Sequence, residues 1–198
     1  MKKAYLAIAL AFLMGVVVPT LVVNRSEHVF AAPAAAATTI SSVVSGGTDA
    51  LLLSCMDYRL TGHTADYMQH ERHMAEKYDY VILAGASLGV NNTKYPNWGQ
   101  TFWQHLDTAI SLHGIHEVII LDHRNCGAYK LLLGKDFPAD ANPEQLKEER
   151  AVHKQQLDEL AAAIHKHNSA LEVETLLMNL DGSVEEIGLT KAEEKPKH

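Results

Sequence analysis

The chain has 198 residues, with 17 Lys and Arg against 24 Asp and Glu for a net charge of −7. Leaving out the N-terminal Lys2, Lys3, Arg25 and Glu27, these become 14 and 23, a net of −9. An acidic chain without Lys/Arg stripes argues against nucleic acid or an anionic membrane surface as partner and suits a small diffusible substrate.

The first residues read as an export signal. Lys2 and Lys3 precede an uncharged apolar run from Ala4 to Val23, and small residues follow at Ala31-Ala32. That order of basic, apolar and small-residue regions predicts a signal peptide over residues 1–31, cleaved after Ala31. The competing reading is an uncleaved membrane anchor, since about 20 apolar residues span a bilayer. Either reading places the globular part outside the cytoplasm, periplasmic or secreted. Residues 32–49 are Ala-, Ser-, Thr- and Gly-rich and read as a flexible tether. Residues 50–190, long enough for one domain with a real core, form the predicted domain. Residues 191–198 form a charged tail.

Within that domain, strand and helix signals alternate. Leu51-Leu52-Leu53 is a buried strand, and Thr61 to Lys77 a polar-rich helical stretch. Tyr80 to Ala84 reads as a second strand, closed by Gly85. Pro96 opens a helix with Phe102, Leu106, Ala109 and Ile110 at helical period, and Gly114 ends it. Val118 to Leu121 is a third strand. Pro143 sits in the first turn of a long helix reaching His167, with Val152, Leu157, Leu160 and Ile164 on its buried face. Leu171 to Asn179 is a fourth strand, and the Asp181-Gly182 turn leads to a short returning strand from Val184. This grammar predicts an α/β fold with an open, mostly parallel sheet of order 2-1-3-4, a short antiparallel fifth strand, and helices on both faces. In such sheets ligands bind beyond the carboxyl ends of the strands, where the winding reverses.

Two reactive clusters lie at the ends of strands one and three. Cys55, Asp57 and Arg59 follow the first strand at alternate positions, and His123 and Cys126 follow the third. Two thiolates and one imidazole make a three-ligand zinc site with one position open, the arrangement of catalytic zinc. The competing reading is a disulfide, since two Cys in an exported chain commonly form a bridge. A staple requires none of His123, Asp57 and Arg59, and their company favours zinc. Such a centre lowers the pKa of a bound water toward ~7. Asp57, paired with Arg59, can orient that water or, freed, become a fourth ligand. Among the other His residues, His63, His70 and His73 read as a solvated helix face, and His153, His165 and His167 as surface.

Cys55-x-Asp57-x-Arg59 followed by His123-x-x-Cys126-Gly127 resembles the β-class carbonic anhydrases. Trp103 to Ala109, Ile115 to Ile120, Ala84-Gly85-Ala86 and Leu180 to Val184 extend the resemblance to roughly Leu51–Ile187. Asp122 stands where the family usually has Gly, and Tyr58 where it has Ser. The resemblance implies one Zn²⁺ per subunit and reversible hydration of CO2 to bicarbonate, with Asp57 and Arg59 as catalytic residues. Alternatives are a carbonyl sulfide or carbon disulfide hydrolase on the same site, and a zinc-binding protein without turnover. The resemblance also implies a homodimer or higher homo-oligomer. Trp98, Phe102, Trp103 and Leu106, extended by Tyr95 and Tyr129, are the aromatic surface expected to serve it; the competing reading is that these rings simply cover the sheet.

Overall fold

The computed structural model describes residues 48–193. The signal segment, nearly all of the tether and the end of the charged tail lie outside the described residues. The sheet is organised around β1 (Ala50–Ser54), every residue of which is buried. A strand buried on both faces reads as a continuous apolar run rather than an alternating one. β2 (Tyr78–Ile82) and β3 (Glu117–His123) pair with β1 on either side, both in parallel. β4 (Glu172–Met178) pairs parallel to β3, and β5 (Val184–Thr190) antiparallel to β4. The order is β2-β1-β3-β4-β5, as expected. The chain steps from β1 outward to β2 and then returns past β1 to β3, so the winding reverses between β1 and β3.

Alternate residues of each strand feed different cores. Leu51, Leu53, Val118, Ile120 and Val173 pack with Phe102, Leu106, Leu157, Leu160 and Ile164 from two long helices. Ala50, Leu52, Ile119, Leu121 and Leu176 pack on the other face with Leu60, Tyr67 and Met68.

The helix ends follow the sequence. The first long helix, here α3 (Pro96–His113), starts with Pro in its first turn and ends at Gly114 with φ 68°, a left-handed position that Gly occupies without steric cost. The second, α5 (Pro143–His167), opens with a capping box in which Gln145 N donates to Asn142 Oδ1 at 3.0 Å and Asn142 N donates back to Gln145 Oε1 at 2.9 Å. Both cap bonds satisfy amides that the helix itself leaves unpaired.

Several expectations need correcting. The stretch from Thr61 to Lys77 is not one helix: α1 spans Thr61–Asp66 and continues as a π-helical turn over Tyr67–Glu71. Two short helices, α2 (Ser87–Asn91) and α4 (Gly127–Leu133), had no periodic signal. The aromatic surface is largely interior, because Phe102, Leu106 and Tyr129 are fully buried and Trp103 packs against the core. Trp98 instead stacks on Tyr95 with ring centroids 4.7 Å apart. His153 is also fully buried rather than on the surface.

Gly89 lets α2 lie directly on the loop leaving β2. A Cβ there would stand 2.6 Å from the carbonyl oxygen of Ala84 and 3.3 Å from Leu83 Cβ. Helix propensity alone favours Ala over Gly by about 1 kcal/mol, but overpacking against rigid backbone typically costs ~1–3 kcal/mol. Gly89→Ala is therefore expected to lower the urea midpoint of unfolding, and a raised midpoint would show that the loop yields.

Candidate metal centre

The site forms where β1 and β3 end side by side. Ser54 lies opposite Leu121 in the sheet, so Cys55 leaves β1 close to where His123 closes β3. A tight turn through Asn125, at φ 55°, then brings Cys126 back to the same point. The sulfurs of Cys55 and Cys126 stand 3.9 Å apart. Both cysteines are free, and that separation is far beyond the roughly 2.05 Å of a disulfide. The two sulfurs and one His123 ring nitrogen lie within 4.8 Å of one another.

Two of the three ligand residues are held from behind. His123 Nδ1 lies 2.8 Å from the carbonyl of Arg124; a carbonyl only accepts, so Nδ1 carries the proton. Its Nε2 is buried and has no partner among the described residues, a costly arrangement unless something coordinates it. Gly85 N donates to Cys55 Sγ at 3.3 Å. Hydrogen bonding from Cys126, outweighing burial and aided by His123, lowers the pKa of Cys55 to about 4. The same hydrogen bond raises Cys126 above its ordinary value, so the pair shares one proton. Burial opposes charge on His123, but the Cys55 thiolate beside it leaves its pKa raised. A half-buried thiolate at Cys55, a buried thiol at Cys126 and a bare imidazole nitrogen are a donor set suited to zinc.

Asp57 and Arg59 stand at the rim. Arg59 Nε donates to Asp57 Oδ1 at 2.9 Å and Nη2 to Oδ2 at 2.7 Å. This two-pronged contact holds the carboxyl of Asp57 below its ordinary pKa. Asp57 Oδ2 is 3.9 Å from His123 Nε2, so the carboxylate overlooks the ligand group. Cys55, His123 and Cys126 thus converge with Asp57 and Arg59 beside them, and Asp57, Arg59 and Cys126 line a cleft of about 330 Å³ together with Tyr58, Asn125 and Phe137.

A family model described as "Putative carbonic anhydrase" matches residues 46–188. The chain belongs to this carbonic-anhydrase family. Its relatives include an uncharacterized protein of Rickettsia conorii, 39% identical over 137 residues that span 69% of this chain and 70% of that protein. An uncharacterized protein of Rickettsia bellii is 37% identical over 137 residues, 69% of this chain and 80% of the other. Among solved structures, it is similar to a Coccomyxa β-carbonic anhydrase in complex with acetazolamide, with TM-score 0.48 and 14% identity over 74% of this chain and 75% of that one. The carbonic anhydrase from Glaciozyma antarctica gives TM-score 0.45 and 17% identity over 72% and 83%.

In this carbonic-anhydrase family member, the sequence reading missed the residues that support the ligands. Asp122, just before His123, accepts from Ser87 N at 3.0 Å, Ser87 Oγ at 2.7 Å, Tyr129 Oη at 2.6 Å and His153 Nδ1 at 2.8 Å. Glu149, with 1% exposure, accepts from Asn125 N at 2.6 Å and Arg124 Nη1 at 3.2 Å. A signal was present, because Glu149 and His153 precede Leu157, Leu160 and Ile164 at helical spacing and share their buried stripe. Polar residues on an apolar stripe mark buried partners.

The lowered pKa of Cys55 is testable on metal-free protein. An ordinary thiol near pKa 8.5 is almost wholly protonated at pH 6. Cys55, with its pKa at about 4, is a thiolate there, and alkylation at pH 6 is expected to label it ahead of Cys126. Peptide mass spectrometry reads the order. Equal labelling that sets in only above pH 8 would contradict it.

Proposed function

We propose that this chain is a zinc-dependent carbonic anhydrase that hydrates CO2 reversibly to bicarbonate and a proton. The observation that carries the reading is the convergence of two free thiols with a buried imidazole nitrogen that has no partner among the described residues, in a member of a carbonic-anhydrase family. Zinc held by Cys55, His123 and Cys126 supplies a Lewis acid and, near neutral pH, hydroxide from water.

The chain's own residues supply the rest. The two sulfurs, both deprotonated on binding a divalent metal, offset its charge, so a small neutral substrate is favoured over a tightly held anion. The Nδ1 contact of His123 fixes its tautomer and aims Nε2 at the sulfurs. Asp57, kept ionised by Arg59, is an acceptor only, and it orients a hydrogen of water or hydroxide in the cleft. The Lys2, Lys3 and Ala4 to Val23 order supports export of the enzyme.

Stopped-flow measurement of CO2 hydration on zinc-loaded protein tests the reading. A rate well above buffer is expected, and a rate no better than buffer with zinc bound stoichiometrically would sink it. Alanine at Cys55, His123 or Cys126 should remove zinc and activity together. Asp57→Asn should keep zinc while lowering turnover by roughly 10–100-fold, the usual cost of losing an outer-shell partner.

We further propose a homodimer or higher homo-oligomer. The support is the edge strand β2, on which Tyr80 and Ile82 are 41% and 49% exposed. An apolar edge strand is a ready template for another chain. Light scattering at micromolar concentration should give at least twice the monomer mass; a fully active monomer would refute this.

A further inference from the structure

We propose that Asn125 is a latch that keeps Asp57 on Arg59 and off the metal position. The inference rests on reading Cys55, His123 and Cys126 as a zinc centre, and it assigns Asn125 a positioning role that neither ligand chemistry nor the Asp57–Arg59 pair requires.

Asn125 sits between the two ligands of β3 and its following turn, at φ 55°, a left-handed conformation that Asn tolerates better than most residues. Every polar group it owns is engaged. Its Nδ2 donates to the carbonyl of Phe137 at 2.5 Å, and its Oδ1 accepts from Arg59 Nη1 at 2.7 Å. Its main-chain oxygen accepts from Arg59 Nη2 at 3.2 Å. Its main-chain N–H donates to the buried carboxylate of Glu149 at 2.6 Å, which ties the residue to α5 and so to the core.

The guanidinium of Arg59 is thus gripped on two edges, by Asp57 on one and Asn125 on the other. A planar fork held on both edges cannot swing away. Asp57 alone would not hold it, because an ion pair this open to solvent is weak. A carboxylate released from Arg59 lies beside a three-ligand zinc site, and carboxylate oxygen is itself a good zinc ligand. With Oδ2 already 3.9 Å from His123 Nε2, Asp57 has a short path to closing that site. Asn125, anchored through Glu149, is what holds it back.

A double-mutant cycle on zinc affinity tests the latch. Zinc dissociation constants are measured by competition with a chromophoric chelator, for the full chain and for Asn125→Gly, Asn125→Asp and Asp57→Asn alone and combined. Gly keeps the left-handed backbone and the N–H to Glu149 but deletes the amide; Asp keeps an oxygen for Arg59. Asp57→Asn is expected to change affinity by less than about twofold in the unaltered chain and in Asn125→Asp. In Asn125→Gly, where Asp57 has become a ligand, it should weaken binding by about tenfold, a coupling that mere structural damage does not produce. An Asp57→Asn effect that is the same in all backgrounds would overturn the latch. Asn125→Ala also deletes the amide and runs the same cycle if the Gly variant fails to fold. The measurement reads binding and not turnover. Zinc bound without coupling refutes the latch alone, and no zinc binding at all refutes the zinc reading with it.

Discussion

A carboxylate with 1% exposure has to be met by donors on every side, and the interior of this domain is arranged around meeting one at Asp122. Its donors come from the start of α2 (Ser87), from α4 (Tyr129) and from the middle of α5 (His153). Three helices are therefore drawn to the carboxyl end of one central strand. His153 packs its ring against Tyr129 at 4.0 Å between centroids, so the network is closed by packing as well as by hydrogen bonds. The next residue is His123. Whatever fixes Asp122 fixes the main chain that presents the imidazole, and α2, held at Ser87, carries Gly85 N to Cys55. Losing Ser87, Tyr129 or His153 would leave this buried carboxylate short of a donor, which is why the three belong together.

Much of this was legible from residue order. Continuous apolar runs at Leu51 to Leu53 and Val118 to Leu121 gave two central parallel strands, because strands covered on both faces carry no polar side. Pro96, Gly114 and Pro143 marked helix ends through backbone chemistry that does not depend on the rest of the fold. The ligand cluster was legible because Cys and His three apart after a strand carry a geometric meaning of their own. The remainder depended on tertiary partners. Helices α2 and α4, at five and seven residues, are too short to display a period. The π-helical turn at Tyr67–Glu71 has no composition signal, since it answers to how Tyr67 and Met68 reach the core. Residue order leaves Phe102 and Leu106 open to either core or subunit interface, and only the packing shows that the sheet face itself covers them.

The centre is also a case of rigidity assembled from weak parts. The Asp57–Arg59 pair is partly open to solvent, and such pairs contribute about 0–1 kcal/mol. The geometry is nonetheless defined, since three of its side chains have a second contact: Nδ1 of His123 to a carbonyl, Cys55 to an amide, Arg59 to Asn125. Sites whose side chains are fixed from behind lose little on binding, because the ordering is already done.

The in-register pairing of Ser54 with Leu121 has a consequence for how the chain finds its fold. Leu51-Leu52-Leu53 and Val118-Ile119-Ile120 are nearly uniform runs, so sliding one past the other by a residue changes buried apolar area little. It would, however, turn alternate side chains to the opposite face and carry Cys55 away from His123. Apolar burial alone discriminates poorly between these alignments; the ligands discriminate sharply, since only one alignment brings two sulfurs and a nitrogen to a point. A metal ion bound at this point during folding would therefore proofread strand alignment, rewarding the correct pairing and leaving a slipped sheet without that tie.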